Sequence, residues 1–192
     1  INTMTTPAEV LIDQTVEFLK QVEGFEPVAR TPKGIKGGKS TYGYGFEFKN
    51  DNKTRVTDGE TITKEEAEPM LRYKVTELHN TFSERYENYR NLPLNVKLGV
   101  LSFGFNAGIN VFEDPSNQTY LRPALDSGDP TKLKDAIGRF VYGPTPEQGA
   151  ILKLRRMKER AIMDNEAYFD EFLYNPFDDG RNPRDASRTV GP

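Results

Sequence analysis

Residues 31–45 read TPKGIKGGKSTYGYG, and the way this stretch divides decides the fold. Its first half nearly spells a phosphate-binding loop, which needs a glycine, four spacers and then Gly-Lys-Ser/Thr. Gly38-Lys39-Ser40 supplies the end, but the glycine would have to stand at Lys33, and Gly34 comes one residue late. Such a loop also follows a buried strand and opens a helix, so that backbone N–H groups point at the phosphate. Here the residue pattern places a helix before the loop and a strand, from Thr41 to Lys49, after it. The order is inverted, and nucleotide binding is set aside.

Working outward, the helix upstream is predicted from about Pro7 to Glu23, with Thr6 as N-cap and Pro7 at the first helical position. Ala8, Ile12, Val16, Leu19 and Val22 recur at helical spacing, and Gly24 supplies a stop. Pro27 to Ser40 reads as an irregular loop. After the strand, Asn50-Asp51-Asn52 is a turn and Lys53 to Val56 a return strand. Thr63-Lys64-Glu65-Glu66 is a capping box that opens a long polar helix reaching the 80s, with Pro69 as an expected kink. Pro93 to Ala107 is apolar on nearly every side, the mark of a helix buried all round. Short and long helices are predicted over Thr131–Phe140 and from Pro146 to about Asp164, and Tyr174 to Pro192 is a polar extension. No internal repeat is present. The expected organisation is one domain over 1–170, with an N-lobe at about 8–62, a connecting helix at about 63–87 and a C-lobe at about 88–170. A C-terminal extension covers 171–192.

Composition narrows the chemistry. A formal charge of -3 lacks the basic footprint of a general nucleic-acid binder. No apolar run approaches the roughly 18 residues of a membrane helix, and the first residues show no signal-peptide pattern. The chain opens at Ile1 rather than Met, as a processed or longer polypeptide would. With no cysteine there is no disulfide, thiolate metal site or cysteine nucleophile. The single histidine, His79, sits among charges on the connecting helix and reads as solvent-exposed, so neither a Ser-His-Asp site nor a His-based metal site is expected. Arg30, Lys33, Lys36 and Lys39 form a strip without an acid, either a solvated loop or an attraction for an anionic ligand. Glu23 falls at a helix C-terminus, where the macrodipole disfavours an anion by a few tenths to about 1 kcal/mol. That suits a carboxyl meant to act as a general acid. Alone, it does not separate a catalytic acid from an ordinary exposed glutamate.

Four segments in register go further. Glu23-Gly24-Phe25 precedes Thr41-Tyr42-Gly43-Tyr44-Gly45; then come GVLSFGFNAG at 99–108 and LRRMKER at 154–160. Thr61-Ile62-Thr63 with Glu66-Ala67 adds a fifth match. In this order and spacing the chain, over roughly residues 10–165, resembles the phage-type (T4-like) lysozymes of glycoside hydrolase family 24. The resemblance implies an α+β fold of two lobes: a small N-terminal lobe with a β-hairpin, a long connecting helix and a helical C-terminal lobe. It implies a muramidase that cleaves peptidoglycan between N-acetylmuramic acid and N-acetylglucosamine without a cofactor. It puts the general acid on Glu23 and a water-positioning threonine on Thr41. It puts the arginine that pairs with the acid on Arg156 and a polar group near the cleft floor on Asn106. Tyr44, Asn106 and Thr31 are expected to contact substrate.

One departure is large. The family places an aspartate about nine residues after the glutamate, to activate water. Here that place is Pro32, beside Thr31, and no acid occurs between Glu26 and Glu47. The loop is longer than usual, and Phe46 replaces the family histidine. Inverting glycosidases need a second carboxylate at about 6.5–9.5 Å. Three alternatives follow. Thr41, with Thr31 or a carboxylate from elsewhere, positions water for hydrolysis; Glu23 alone serves a lytic transglycosylase, in which the sugar's own 6-hydroxyl attacks; or the domain is a silent glycan-binding virion module. Retention of Thr41 favours hydrolysis, and retention of Glu23, Thr41 and Arg156 together argues against a silent module. The resemblance further implies a phage source and action on the cell wall, reached through a holin or as part of a virion. A monomer is expected, with the extension as a docking segment for virion proteins.

Overall fold

The computed structural model describes residues 6–164. Helix α1 spans Pro7–Glu23, the bounds expected from sequence. Thr6 Oγ1 accepts the Glu9 N–H at 3.2 Å, and Pro7 opens the helix where a missing N–H costs no hydrogen bond. The helix ends because Gly24 takes φ 69°, a conformation open to glycine, and turns the chain directly into a strand. Leu11, Phe18 and Leu19 on α1 are fully buried, each contributing about 1.5–3 kcal/mol relative to exposure.

Strand β1 (Glu26–Arg30) pairs antiparallel with β2 (Thr41–Gly43), Glu26 opposite Gly43 and Arg30 opposite Thr41. Between those pairs β1 carries more residues than β2, so the ladder bulges. All of β1 but Glu26 lies inside the stretch expected to be irregular. Pro27 and the lack of alternation hide it, and its order comes from partners on both edges rather than from propensity. On the second edge Ala29 N donates to Glu60 O (2.8 Å), Gly59 N to Ala29 O (2.9 Å) and Ile62 N to Pro27 O (3.0 Å). β2 is shorter than the expected strand to Lys49. Tyr42 and Phe46 exchange backbone hydrogen bonds (3.2 and 2.8 Å) around a tight turn, in which Gly43 and Gly45 take positive φ. In the loop 31–40, Gly34 and Gly37 likewise have φ of 78° and 74°. Its glycines make turns.

Helix α2 (Lys64–Arg85) starts at the expected capping box, Thr63 Oγ1 accepting the Glu66 N–H at 3.1 Å, and runs on past Pro69. Its buried stripe, Ala67, Leu71, Val75, Leu78 and Phe82, is shared between two cores. The first three join Val16, Leu19, Tyr42, Tyr44 and Phe46 in the small lobe. The last two join the large lobe, built on α4 (Leu94–Ala107). α4 packs against α1 and against α7 (Pro146–Asp164), and Asn95 Nδ2 donates to the Ile162 and Met163 carbonyls (3.0 and 3.2 Å) at the end of α7. Gly99 leaves no room for a Cβ beside Met163, and Gly104 none beside the Phe82 ring. The short helices α3 (Glu87–Arg90) and α5 (Leu121–Ser127) and a 3-10 turn (Pro115–Asn117) were not expected; α6 (Pro130–Gly138) was.

Val22 and Phe105 pack against both cores, so the lobes meet at the ends of α1 and α4. Glu23 and Asn106 are the residues that immediately follow them. His79, expected to be exposed, is half-buried, with Nδ1 2.8 Å from the Tyr89 hydroxyl. No helix among the described residues is long and apolar enough to cross a membrane. The polar extension lies outside the described residues.

Candidate active site

Glu23 occupies the last turn of α1 with 14% of its side chain exposed, and Arg155 Nη1 of α7 donates to its Oε1. The sequence reading assigned this pairing to the neighbouring Arg156, and the structure corrects it. Arg155 is the better placed because its guanidinium spans three acceptors at once. Nε donates to Glu159 Oε2 at 3.2 Å and Nη2 to the Ser102 carbonyl at 3.0 Å, leaving Nη1 for Glu23. Ser102 comes from the middle of α4, so three helices converge on one planar cation. Burial alone would lower the Arg155 pKa, but Glu23 and Glu159 outweigh it and raise it.

Arg156 is turned to the other side of Glu159. Its Nε lies 2.7 Å from Glu159 Oε1, a close ion-pair contact rather than an aligned hydrogen bond, and its Nη2 donates to Asn106 Oδ1 at 2.6 Å. The guanidinium stacks over the Phe103 ring at 4.8 Å. Burial pushes Arg156 below the usual guanidinium value, with Glu159, and Glu23 through space, pulling it back and Arg155 opposing them. Glu159 is fully buried and also accepts the Ser102 hydroxyl at 2.5 Å. The side-chain oxygens of Glu23 and Glu159 thus stand against both guanidiniums at the lobe junction. Isolated charges could not be buried there.

Glu159 and Arg155 were missed as site residues. The signal was present: Arg155 and Glu159 are four apart on a helix and therefore on one face. Both adjacent arginines reach Glu159, and only the position of α4, through Ser102, decides which of them also meets Glu23. Asn106 is exposed and held by Arg156 at the end of α4.

The hairpin supplies the rest. Thr41 opens β2, half-buried, opposite Arg30. Tyr44, expected to contact substrate, is instead 2% exposed, its ring packed against Phe25 (5.4 Å) and Phe46 (6.1 Å) in the small-lobe core. The tight turn at Gly43 aims it inward. Thr31 is exposed at the end of β1, and its hydroxyl donates to Asp58 Oδ1 at 2.8 Å. Among the described residues no cluster of His, Cys, Asp or Glu could hold a metal ion. The arrangement is a partly exposed carboxyl fixed by a buried arginine, at the helix end that leads into a threonine-bearing hairpin. Such a site can move a proton onto a bound group.

A search of curated proteins returns no match. Among solved structures, the chain is similar to the endolysin from Escherichia coli O157:H7 phage FAHEc1 (22% identity, TM-score 0.62, covering 80% of this chain and 92% of that one). It is similar to the active form of the P1 phage endolysin Lyz (20%, 0.60, 78% and 82%). It is also similar to the muramidase domain of SpmX from Asticaccaulis excentricus (22%, 0.59, 79% and 95%). These likenesses establish the two-lobed α+β fold. The family model described as phage lysozyme matches residues 20–159, from the end of α1 through Glu159, and the chain belongs to the phage lysozyme family.

Proposed function

We propose that this phage lysozyme hydrolyses the peptidoglycan strand between N-acetylmuramic acid and N-acetylglucosamine, with Glu23 as the general acid. The observation that carries the reading is the Glu23–Arg155 pair at the junction of the two cores. A carboxyl there reaches a sugar strand laid between the lobes, while its position is fixed by a helix of the far lobe. Glu23 protonates the glycosidic oxygen, the C1–O4 bond breaks, and the sugar passes through an oxocarbenium-like state. Arg155 orients the carboxyl before the transfer and offsets the negative charge it acquires afterwards. The buried, hydrogen-bonded guanidinium needs no reorganisation to do so. Thr41 holds the attacking water, Asn106 contacts the strand, and Arg156 acts as a brace, tying Asn106 to Glu159.

Digestion of purified peptidoglycan tests this directly, with products read by mass spectrometry. New reducing ends at N-acetylmuramic acid are expected. Products ending in 1,6-anhydromuramic acid would make the enzyme a transglycosylase. Binding to sacculi without any cleavage would leave only a glycan-binding module.

A further inference from the structure

We propose that Asp58 is the second carboxylate of this site, the base that takes a proton from the attacking water. This rests on the muramidase reading above. The loop after Glu23 carries Thr31-Pro32 where an acid was expected, and no acid occurs before Glu47. The fold brings one from another segment to Thr31, the neighbour of that position. Thr31 Oγ1 donates to Asp58 Oδ1 at 2.8 Å.

Asp58 is held there by the backbone that follows it. Gly59, Glu60 and Ile62 are hydrogen-bonded along the edge of β1 at Ala29 and Pro27, and Val28 bridges Thr61. β1 therefore has β2 on one side and this segment on the other, with Asp58 at the end where Arg30 faces Thr41. The carboxylate also meets the returning end of the 31–40 loop. Ser40, next to Thr41, has its buried hydroxyl near Asp58, close enough to stabilise the anion though short of an aligned hydrogen bond. The Ser40 and then the Thr31 hydroxyl hold Asp58 below the usual carboxylate range. It is anionic at neutral pH and exposed, so water reaches it. Neighbouring acids are committed to cations: Glu60 to Lys49 (3.2 Å) and Glu26 to Arg30 (2.8 Å). The partners of Asp58 are neutral hydroxyls, which leave its charge uncancelled.

In the step, Asp58 accepts one proton from water while the water oxygen bonds to C1. The C1–O4 electrons go to O4, which receives the Glu23 proton. Both carboxyl groups return to their starting states by exchanging protons with solvent, and one water is consumed. Thr31 is then a positioning residue for Asp58.

The test is kinetics on purified sacculi with wild type, Asp58→Asn, Asp58→Ala with and without sodium azide, Glu60→Gln as control, and Glu23→Gln. Asp58→Asn is expected to lower kcat by about a hundredfold or more with KM little changed, and Glu60→Gln to leave both near wild type. Azide, needing no base, is expected to restore turnover to Asp58→Ala and to appear in a glycosyl azide product. Only folded molecules can be rescued in this way, so a loss through misfolding is told apart. Asp58→Asn with near-wild-type kcat, or a loss in Asp58→Ala that azide does not rescue, overturns the assignment. A wild type that releases no reducing ends would instead refute the muramidase reading itself, and an active Glu23→Gln only the choice of Glu23 as its acid.

Discussion

Replacing Glu159 by alanine tests whether the buried charge network holds the lobes together. Glu159 is fully buried, with Arg155 Nε at 3.2 Å, Arg156 Nε at 2.7 Å and the Ser102 hydroxyl at 2.5 Å. Without it, Arg155 retains Glu23, but Arg156 keeps only Asn106 Oδ1 as its close oxygen contact and remains almost wholly buried. Stranding a buried charge in this way costs about 3–5 kcal/mol. For a chain of this length each kcal/mol shifts Tm by about 2–4 °C, so the midpoint should fall by about 6–20 °C. Glu159→Gln keeps the shape and the Ser102 hydrogen bond but not the charge, and should fall between wild type and alanine. Urea unfolding followed by circular dichroism measures both. If both variants unfold within about 1 kcal/mol of wild type, the network is not a structural keystone and the guanidiniums find other partners or water.

Two further outcomes follow from the same structure. Arg155→Lys replaces a planar fork reaching Glu23, Glu159 and the Ser102 carbonyl with one ammonium, so the acid is mispositioned; kcat should fall by up to about a hundredfold. Arg156→Lys should cost less activity, and the reverse order in a reducing-end assay would contradict the pairing. His79 is depressed below its ordinary value of about 6.5, first by burial and then by Lys97 of α4. The unfolded chain therefore binds the proton first, and its contribution to stability, complete above about pH 6.5, declines as pH drops through the lower folded value. As the single histidine, it gives one NMR titration to follow. A midpoint at or above 6.5, or an unchanged pH slope in His79→Gln, would contradict this.

The parts of the fold with a local chemical cause were readable in the chain. Thr6-Pro7 and Gly24 bound α1, Thr63 and Glu66 open α2, and the unbroken apolar pattern of 94–107 announces a central helix. β1 was not readable, because a five-residue strand containing proline is made by its partners on either edge. The same limit governed the site. Glu23 carried a local signal, its place at a helix end. Arg155 against Arg156 did not, since the choice depends on where Ser102 of α4 meets α7. Tyr44 was expected at the substrate from the resemblance alone, yet it shares its parity with the buried Tyr42 and Phe46 and its ring lies in the core. Asp58 stands 35 positions from Glu23 in the chain and meets Thr31 only because the 57–62 segment folds back along β1.

The most direct test of the account is the rate at which Glu23→Gln releases reducing ends from purified peptidoglycan, with its fold verified by an unchanged circular dichroism spectrum. The amide keeps the shape and can still accept from Arg155 but has no proton to give. A loss of at least about 10²-fold is expected. Cleavage within a few fold of wild type would contradict the assignment of Glu23 as the acid.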